Sequence, residues 1–347
     1  MVEPRTLALD AMGGDHGPEV VIPGAAISLE RHPALSFIFT GDEAEITPIL
    51  AKHDALKSKS RIVHTALKVA SNERPSQALR RGKGTSMWLA LEAVKTGAAH
   101  GAVSGGNTGA LMAMGKLILR PVPGIERPAM AALWPTVTSE CIVLDVGANI
   151  GASSRQLTDF ALMGAAMARA IFHIERPTVG LLNVGVEEIK GADEVKEAHA
   201  LLKSLALPLD YRGYVEGNEI GQGKVDVVVV EGFTGNIALK TAEGTAKQIG
   251  QYIKDALTRS IMSKLGALMA KGGLRVLKHK MDPRRNNGAT LLGLNGIAIK
   301  SHGGTDALGF ASAIDLGYEM SQSGLLKRLG EDTEAFHNSL ATAATGS

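Results

Sequence analysis

The chain has 347 residues, of which 45% are hydrophobic and 21% are charged, so it has the composition of an ordinary globular protein. These values exclude a disordered chain, a collagen-like repeat and a disulfide miniprotein. Lys and Arg (37) nearly balance Asp and Glu (35), so no global field favours nucleic acid as a partner. The single Cys141 cannot form an internal disulfide, no signal peptide is recognisable, and no apolar run reaches the ~20 residues that cross a bilayer. We therefore expect a cytoplasmic protein.

Short apolar runs alternate with longer helical patterns along the chain. Strands are predicted at residues 6–9, 35–39, 61–64, 101–103, 130–134, 141–144, 178–182, 209–214, 225–230, 290–292 and 297–299. Helices are predicted at residues 19–30, 43–52, 85–95, 108–119, 157–174, 192–205, 234–257, 259–280 and 306–320. This order predicts an α/β fold with a doubly wound, mostly parallel sheet. Because no linker or repeat divides the sequence, residues 1–333 are predicted to form a single α/β catalytic domain, followed by a C-terminal tail at residues 334–347.

Residues 259–285 stand apart because they are rich in Lys and Arg and contain one acid, Asp282. Apolar side chains repeat there at helical spacing on both sides of Gly272 and Gly273, which predicts a projecting, basic and amphipathic helical hairpin with an apolar tip at residues 268–274. The stripe consists of Ile261, Leu265, Leu268 and Met269, then Leu274, Leu277 and Met281. The candidates for partner docking are Leu268, Met269, Lys271, Leu274 and Arg275. Three targets remain open: a second copy of the chain, an acidic carrier protein, and an anionic membrane.

Six strand-like runs end in short loops that contain glycine, at residues 10–17, 104–109, 145–149, 183–191, 231–236 and 300–304. In an open parallel sheet such loops meet at the carboxyl ends of the strands, where ligands bind. The loop that enters the helix at Thr108 would expose backbone N–H groups at a positive helix end, which favours a phosphate or another small anion. No dinucleotide fingerprint and no Walker A loop is present, so an adenine nucleotide is not favoured.

Several side chains in these loops are candidates for catalysis. Lys190 would supply a cation for phosphate or for a developing oxyanion, although a solvated lysine is the plain alternative. Asn236 and Asn107 would donate amide hydrogen bonds, or serve only in turns and helix caps. His16 and His302 would act as acid or base near neutral pH, unless they only bond to the backbone.

The remaining candidates for substrate and phosphate binding lie in the same loops. They are Asp10, Gly13, Gly14, Asp15, Ser104, Gly106, Asn107, Thr108, Asp145, Asn149, Thr234, Gly235 and His302. Three of these are aspartates at strand ends, but no two lie at a helical ligand spacing and no His/Cys cluster accompanies them, so no metal site is assigned.

Cys141 begins a buried-type strand, which favours a small core residue over a nucleophile. Methionines at helical spacing favour core packing over the wall of an acyl tunnel; they are Met112, Met114, Met163 and Met167.

Several of these loops, taken together and in order, resemble the bacterial phosphate acyltransferase family, the acyl-carrier-protein:phosphate transacylases of phospholipid synthesis. The resemblance rests on residues 9–16, 104–110, 183–191, 232–240 and 300–303, and it extends from about residue 7 to residue 330. The sequence departs from the family pattern at three places. Glu231 stands where the family more often has Asp. Asn218 and Glu219 replace an Arg/Asn-Asp pair, and Gly304 and Thr305 replace a Ser pair.

The resemblance implies that inorganic phosphate attacks the thioester of a long-chain acyl-carrier protein directly, without a covalent enzyme intermediate and without a cofactor. It also implies the fold of isocitrate and isopropylmalate dehydrogenases and phosphotransacetylases, a homodimer, peripheral membrane association, and transfer of the acyl phosphate to a membrane glycerol-phosphate acyltransferase. Two alternatives remain open: a dehydrogenase of the isopropylmalate type on the same fold, and a non-catalytic protein that binds phosphate or acyl groups.

Overall fold

The computed structural model describes residues 3–280, 282 and 284–345. Within them one 11-stranded sheet forms the centre of the molecule, and the sheet is mostly parallel as predicted. The strands are β1 (Arg5–Asp10), β2 (Leu35–Gly41), β3 (Ser60–His64), β4 (Gly101–Ser104), β5 (Ala129–Pro135), β6 (Glu140–Leu144), β7 (Thr178–Leu182), β8 (Asp210–Val215), β9 (Val227–Val229), β10 (Ala289–Leu292) and β11 (Ile297–Lys300).

Helices cover both faces of this sheet. They are α1 (Pro18–Arg31), α2 (Glu43–Leu50), α3 (Asp54–Ser58), α4 (Pro75–Arg81), α5 (Ser86–Lys95), α6 (Thr108–Ile118), α7 (Ser154–Ile171), α8 (Asp193–Ser204), α9 (Gly217–Ile220), α10 (Gly232–Thr258), α11 (Ile261–Met269), α12 (Lys271–Lys280), α13 (Ala307–Gln322) and α14 (Leu325–Thr345). Strand β1 shows why two layers are needed: Leu7 and Leu9 pack into one apolar core, and Ala8, between them, packs into the other.

The direction of the strands reverses three times in succession at the centre of the sheet, between β11 and β6. The order is β3-β2-β1-β4-β11-β10-β5-β6-β9-β7-β8. Strand β10 is antiparallel to both β11 and β5, and β5 is antiparallel to β6. The strands β1, β4 and β11 therefore run opposite to β6, β9 and β7. This reversal divides the predicted ligand loops between two edges.

Helix α7 shows how the sequence sets the start of a buried helix. Ser153 accepts a hydrogen bond from the Gln156 backbone N–H at 3.2 Å, and the Gln156 side chain accepts one from the Ser153 N–H at 3.1 Å. This reciprocal capping box satisfies two backbone donors that a helix start otherwise leaves free. Most residues of α7 are then buried, including Phe160 and Met163. The helix fixes the loop that precedes it, at the end of β6.

The predicted tail at residues 334–347 is wrong for the part that the structure describes. Helix α14 continues through residue 333 to Thr345, and Phe336 is buried beneath the Arg155 guanidinium at 4.5 Å. Leu325, Leu329 and Phe336 lie along one face of α14 and anchor it on the core. Residues 346 and 347 lie outside the described residues.

Residues 232–280 form three consecutive helices, α10, α11 and α12. Of α10 only Gly232 and Gly235 are buried, and no residue of α11 is buried. The predicted break at Gly272 and Gly273 is wrong, because both glycines lie inside α12 and the chain turns at Ala270 instead. Met281 of the predicted apolar stripe lies outside the described residues. No helix in the described part of the chain is long and apolar enough to cross a membrane.

Candidate active site

The six glycine loops form two clusters and do not meet at a single edge. The first loop cluster follows β1, β4 and β11 and comprises residues 11–17, 105–107 and 301–304. The second loop cluster follows β6, β9 and β7 and comprises residues 145–152, 230–236 and 183–191. Because β10 and β5 reverse the strand direction between the two groups, the carboxyl ends of the two groups point to opposite edges. The prediction of a single convergence is therefore wrong, although each cluster has the predicted composition.

Backbone contacts hold the first loop cluster together. The Asp15 N–H donates a hydrogen bond to the Gly303 carbonyl at 2.9 Å. Gly14 has φ +89, and a Cβ there would lie 3.0 Å from the same carbonyl oxygen. A Cβ on Gly13 would lie 2.8 Å from the Gly106 nitrogen. The loops approach so closely that only glycine fits at these positions.

Asp10 lies beneath these glycines at the end of β1. It is 1% exposed and accepts a hydrogen bond from the Ser104 hydroxyl at 2.6 Å. Burial raises the pKa of the Asp10 carboxyl, although the Ser104 hydrogen bond acts in the opposite direction. Its other oxygen, Oδ1, has no hydrogen-bond partner. Asp10 and Ser104 thus form a buried pair that retains one free acceptor.

Asn107 occupies the helix-cap position that was the alternative to ligand binding. Its Oδ1 accepts a hydrogen bond from the Ala110 N–H at 3.0 Å, and its Nδ2 donates to the carbonyls of Ser71 and Glu73, both at 2.9 Å. The side chain is therefore fully engaged within the protein. Its capping leaves the N–H of Thr108, at the start of α6, available to an anion.

The two loop histidines lie at the surface of the first loop cluster. His302 accepts a hydrogen bond at Nδ1 from the Gly304 N–H at 3.3 Å, and its own N–H donates to Asn287 at 2.9 Å. The His16 side chain is exposed, and its backbone carbonyl accepts from the Glu19 N–H at 3.3 Å. Both imidazoles are accessible to a ligand.

Lys300, the last residue of β11, borders this cluster and was not among the predicted site residues. Its ammonium donates hydrogen bonds to the Gly105 carbonyl at 3.2 Å and to the Ser301 carbonyl. Burial lowers its pKa to about 8, and the negative charges of Asp10 and Asp15 act in the opposite direction. Its position at the end of a strand that precedes His302 and Gly303 was the available signal.

In the second loop cluster, Asp145 organises the loop after β6. One carboxylate oxygen accepts from the N–H groups of Met130, Gly147 and Ala148 at 2.9–3.1 Å. The other oxygen accepts from the N–H and from Nδ2 of Asn149 at 2.8 and 2.9 Å. Asp145 is 0% exposed, so its charge is fully satisfied by protein donors. Both side chains shape the loop in this structure.

Glu231 caps helix α10 at the same edge. Its carboxylate accepts from the N–H groups of Thr234 at 2.7 Å and Phe233 at 2.8 Å, and from the Thr234 hydroxyl. Burial acts to raise the pKa of Glu231, but these hydrogen bonds outweigh it and lower the pKa. A Cβ on Gly235 would overlap the Asp145 carbonyl, so this helix start fits closely against the loop after β6. The positive end of α10 is therefore occupied by a carboxylate of the protein itself.

Asn236 and Lys190 remain accessible at this edge. Asn236 is half-buried in the first turn of α10 and lies beside Gly147, whose φ is +128. Lys190 is exposed, and its ammonium forms an ion pair with Glu187 at 2.8 Å, which raises the pKa of Lys190. One side chain supplies a neutral donor and the other a cation. Since β9 and β7 are adjacent and parallel, their two loops lie at the same edge.

Other residue types that bear on the chemistry lie away from these loops. Cys141 is 1% exposed, and burial raises the pKa of its thiol to about 12, which leaves it protonated and inert at neutral pH. Met114, Met163 and Met167 are fully buried in the core. In the described part of the chain no three His, Cys, Asp or Glu side chains lie together as ligands for a metal ion.

Comparison with known proteins decides the family. The family described as "Fatty acid synthesis protein" matches residues 5–328. A phosphate acyltransferase of Afipia carboxidovorans is 60% identical over 333 residues, which cover 95% of this chain and 94% of that relative. One from Agrobacterium fabrum is 59% identical with the same coverage of both chains. The chain belongs to the phosphate acyltransferase family.

Solved structures show the same fold at low sequence identity. A phosphotransacetylase from Streptococcus pyogenes superposes with a TM-score of 0.61 at 19% identity, over 91% of this chain and 94% of that one. A 4-hydroxythreonine-4-phosphate dehydrogenase from Klebsiella pneumoniae superposes with a TM-score of 0.53 at 15% identity, over 92% and 98%. The expected kinship of fold with phosphotransacetylases and dehydrogenases is thus confirmed.

Proposed function

We propose that this protein transfers a long-chain fatty acyl group from acyl-carrier protein to inorganic phosphate and releases an acyl phosphate. The observation that carries the proposal is the identity of about 60% to proteins named phosphate acyltransferase over 95% of the chain. The chemistry of the loops supports it. They are rich in backbone donors, and the only thiol in the chain is buried and protonated. A reaction whose nucleophile is phosphate itself suits such a site.

In the proposed reaction a phosphate oxygen attacks the thioester carbonyl and forms a tetrahedral oxyanion. The C–S bond then breaks, and the carrier leaves as a thiolate that takes up a proton. Lys190 would hold the incoming phosphate by charge, and the Asn236 amide would donate to the carbonyl oxygen as it becomes negative. The ion pair with Glu187 keeps Lys190 charged but occupies it, so phosphate has to compete with Glu187 for the ammonium. His16 is accessible but lies in the first loop cluster, at the opposite edge of the sheet from Lys190 and Asn236, so we do not assign proton transfer at this carbonyl to it.

The proposed partners follow from the same reaction. We propose that the chain works as a homodimer in the cytoplasm, without a cofactor, and that it meets an anionic membrane peripherally, where a glycerol-phosphate acyltransferase consumes the product. Leu268 is 64% exposed and Met269 is 85% exposed at the turn between α11 and α12, beside Lys271 and Arg275. An apolar tip flanked by cations has the chemistry of a site that binds anionic bilayers.

The test is release of free carrier thiol from a long-chain acyl-carrier protein, with and without inorganic phosphate and with no nicotinamide present. We expect release that depends on phosphate, together with an acid-labile acyl phosphate in equal amount. Equal rates with and without phosphate would identify a thioesterase. No release under either condition, combined with reduction of a nicotinamide cofactor by a hydroxy acid in a separate assay, would favour the dehydrogenase alternative.

A further inference from the structure

Lys300 has a largely buried positive charge that the nearby carboxylates of Asp10 and Asp15 offset only in part. Its ammonium is largely buried between the loops of the first cluster, and its two acceptors are the neutral carbonyls of Gly105 and Ser301. Within the part of the chain that the structure describes, Lys300 forms no salt bridge. An ammonium has three N–H donors, so one of them remains available. Buried charges in proteins are normally paired, and an unpaired one in a cleft marks a functional position.

The surroundings of Lys300 favour an anion as the missing partner. The Gly105 carbonyl that Lys300 binds lies in the loop that leads into α6, and the first N–H groups of a helix point towards the loop before it. Gly13 and Gly14 approach the backbone of Gly106 and Gly303 closely, and the carboxylates of Asp10 and Asp15 also lie beside these glycines.

The titratable groups that face this position are Asp10 at the end of β1, Asp15 in the loop after it, and His302 beside Lys300. Asp10 is buried and hydrogen-bonded to Ser104, and Asp15 is exposed to solvent. Their carboxylates attract the ammonium without pairing with it.

We propose that Lys300 is a further substrate-binding residue, which donates its free N–H to a phosphate group bound between the loops of the first cluster. This inference rests on the proposed function for its substrates, and two of them carry the required chemistry. One is inorganic phosphate, and the other is the phosphodiester of a carrier protein's prosthetic arm. Lys190 and Asn236 belong to the other cluster, so Lys300 and Lys190 cannot hold the same phosphate. Inorganic phosphate at Lys300 would replace the role proposed for Lys190, and the phosphodiester at Lys300 would leave that role unchanged.

The pKa of Lys300 gives the proposal a signature. An anion binds the protonated lysine, so its affinity is constant below a pKa of about 8 and falls as pH rises above it. At pH 9 about a tenth of the lysine is protonated, so the required ligand concentration rises about tenfold between pH 7.5 and pH 9. Lys190 does not produce this signature, because its pKa is raised above its usual value.

The first experiment measures stabilisation of the intact protein by inorganic phosphate, read as a shift in melting temperature at pH 7.5 and pH 9, and needs no turnover. We compare the wild type with Lys300→Met, which keeps the length of the side chain, and with Lys116→Met, an exposed lysine on α6. The wild type and Lys116→Met should need about tenfold more phosphate for the same shift at pH 9 as at pH 7.5, and Lys300→Met should show a weak shift that does not depend on pH. An equal shift in Lys300→Met and the wild type at both pH values overturns the proposal for inorganic phosphate.

The second experiment distinguishes the two sources through steady-state kinetics of thiol release. A rise of about tenfold in the KM for phosphate alone identifies inorganic phosphate, and a rise in the KM for the acyl carrier alone identifies the phosphodiester. If neither KM changes and Lys300→Met also binds phosphate normally, Lys300 is not a binding residue. If the wild type shows no turnover but phosphate still raises its melting temperature, the proposed reaction is refuted and the proposed phosphate site at Lys300 is not. If Lys300→Met fails to fold, the same measurements are made on Lys300→Gln, and the pH dependence of phosphate binding by the wild type is judged in the same way.

Discussion

Asp159 on helix α7 should destabilise the folded protein at neutral pH, and its removal should increase stability. The carboxyl is 1% exposed, accepts a hydrogen bond from Arg155 Nε at 3.2 Å, and has no partner at Oδ2. Burial raises its pKa from 3.8 to about 6, and the positive charge of Arg155 only partly offsets this effect. A shift of about two units corresponds to about 3 kcal/mol. Arg155 is about a third exposed, and in Asp159→Asn the amide oxygen still accepts its hydrogen bond. We therefore expect Asp159→Asn to raise the free energy of unfolding by about 1–3 kcal/mol.

The sign of the pH dependence follows from the two pKa values. Below about pH 4 the carboxyl is protonated in both the folded and the unfolded chain, so Asp159→Asn changes little. Between pH 4 and pH 6 the folded state binds more protons than the unfolded state, and the stability contributed by Asp159 falls as pH rises. Above pH 6 the full destabilisation is present. The gain from the amide should therefore be near zero at pH 4 and reach its maximum above pH 6.

The measurement is urea unfolding of the wild type and Asp159→Asn at pH 4 and pH 7.5, with the difference in free energy of unfolding compared between the two pH values. Asp255→Asn is the matched control, because Asp255 is exposed on α10 and accepts a hydrogen bond from Gln251 that an amide retains. The reasoning is refuted if Asp159→Asn is no more stable than the wild type at pH 7.5, or if it gains the same amount at pH 4.

Three further predictions concern the loops and the exposed helices. Lys190→Met and Asn236→Ala should each lower turnover by about 10²–10³ while leaving the melting temperature unchanged, and near-wild-type turnover in both would remove them from the mechanism. Gly14→Ala should lower the free energy of unfolding by about 1–2 kcal/mol because of the positive φ, and by more because of the contact with the Gly303 carbonyl. Gly97→Ala is the control in urea unfolding: Gly97 also has a positive φ, but a Cβ there meets no atom within 4 Å, so it measures the first cause alone. Replacing Leu268 and Met269 by Glu should abolish sedimentation with anionic liposomes and leave the dimer and its thiol release intact; dissociation of the dimer would show that the stripe is an interface, and unchanged sedimentation would show that the membrane is met elsewhere.

The sequence predicted the elements of the fold better than their arrangement. Alternating apolar runs located all eleven strands, because the buried strands of a parallel sheet are short and apolar on both faces. The reversal at β10 and β5 could not be predicted, since strand direction depends on pairing between distant segments. Helix α14 was missed because its stripe of Leu325, Leu329 and Phe336 is embedded in small and polar residues that resemble a frayed end.

Loop chemistry was predictable by residue type but not by role. Asn107 fits the pattern of a ligand donor and of a helix cap equally well, and only its bonds to Ser71 and Glu73 show that its amide is occupied. Lys300 was not among the predicted site residues, and nothing in the local sequence indicates that its side chain is buried. Its burial depends on loops that are almost two hundred residues away in the sequence.

A comparison of two buried aspartates shows where ligands can enter. Asp145 and Asp10 both end a central strand and both are almost fully buried. Asp145 accepts hydrogen bonds from several N–H groups, so its loop is complete without a ligand and would lose bonds if a ligand displaced it. Asp10 accepts a hydrogen bond from Ser104 and has an oxygen, Oδ1, without a partner, and Lys300 nearby forms no salt bridge within the part of the chain that the structure describes. Buried polar groups without hydrogen-bond partners lower the stability of the unliganded protein. A substrate that supplies matching donors and charge removes this destabilisation when it binds. The first loop cluster therefore gains more from substrate binding than the loop around Asp145, whose rigidity instead fixes the position of Asn236.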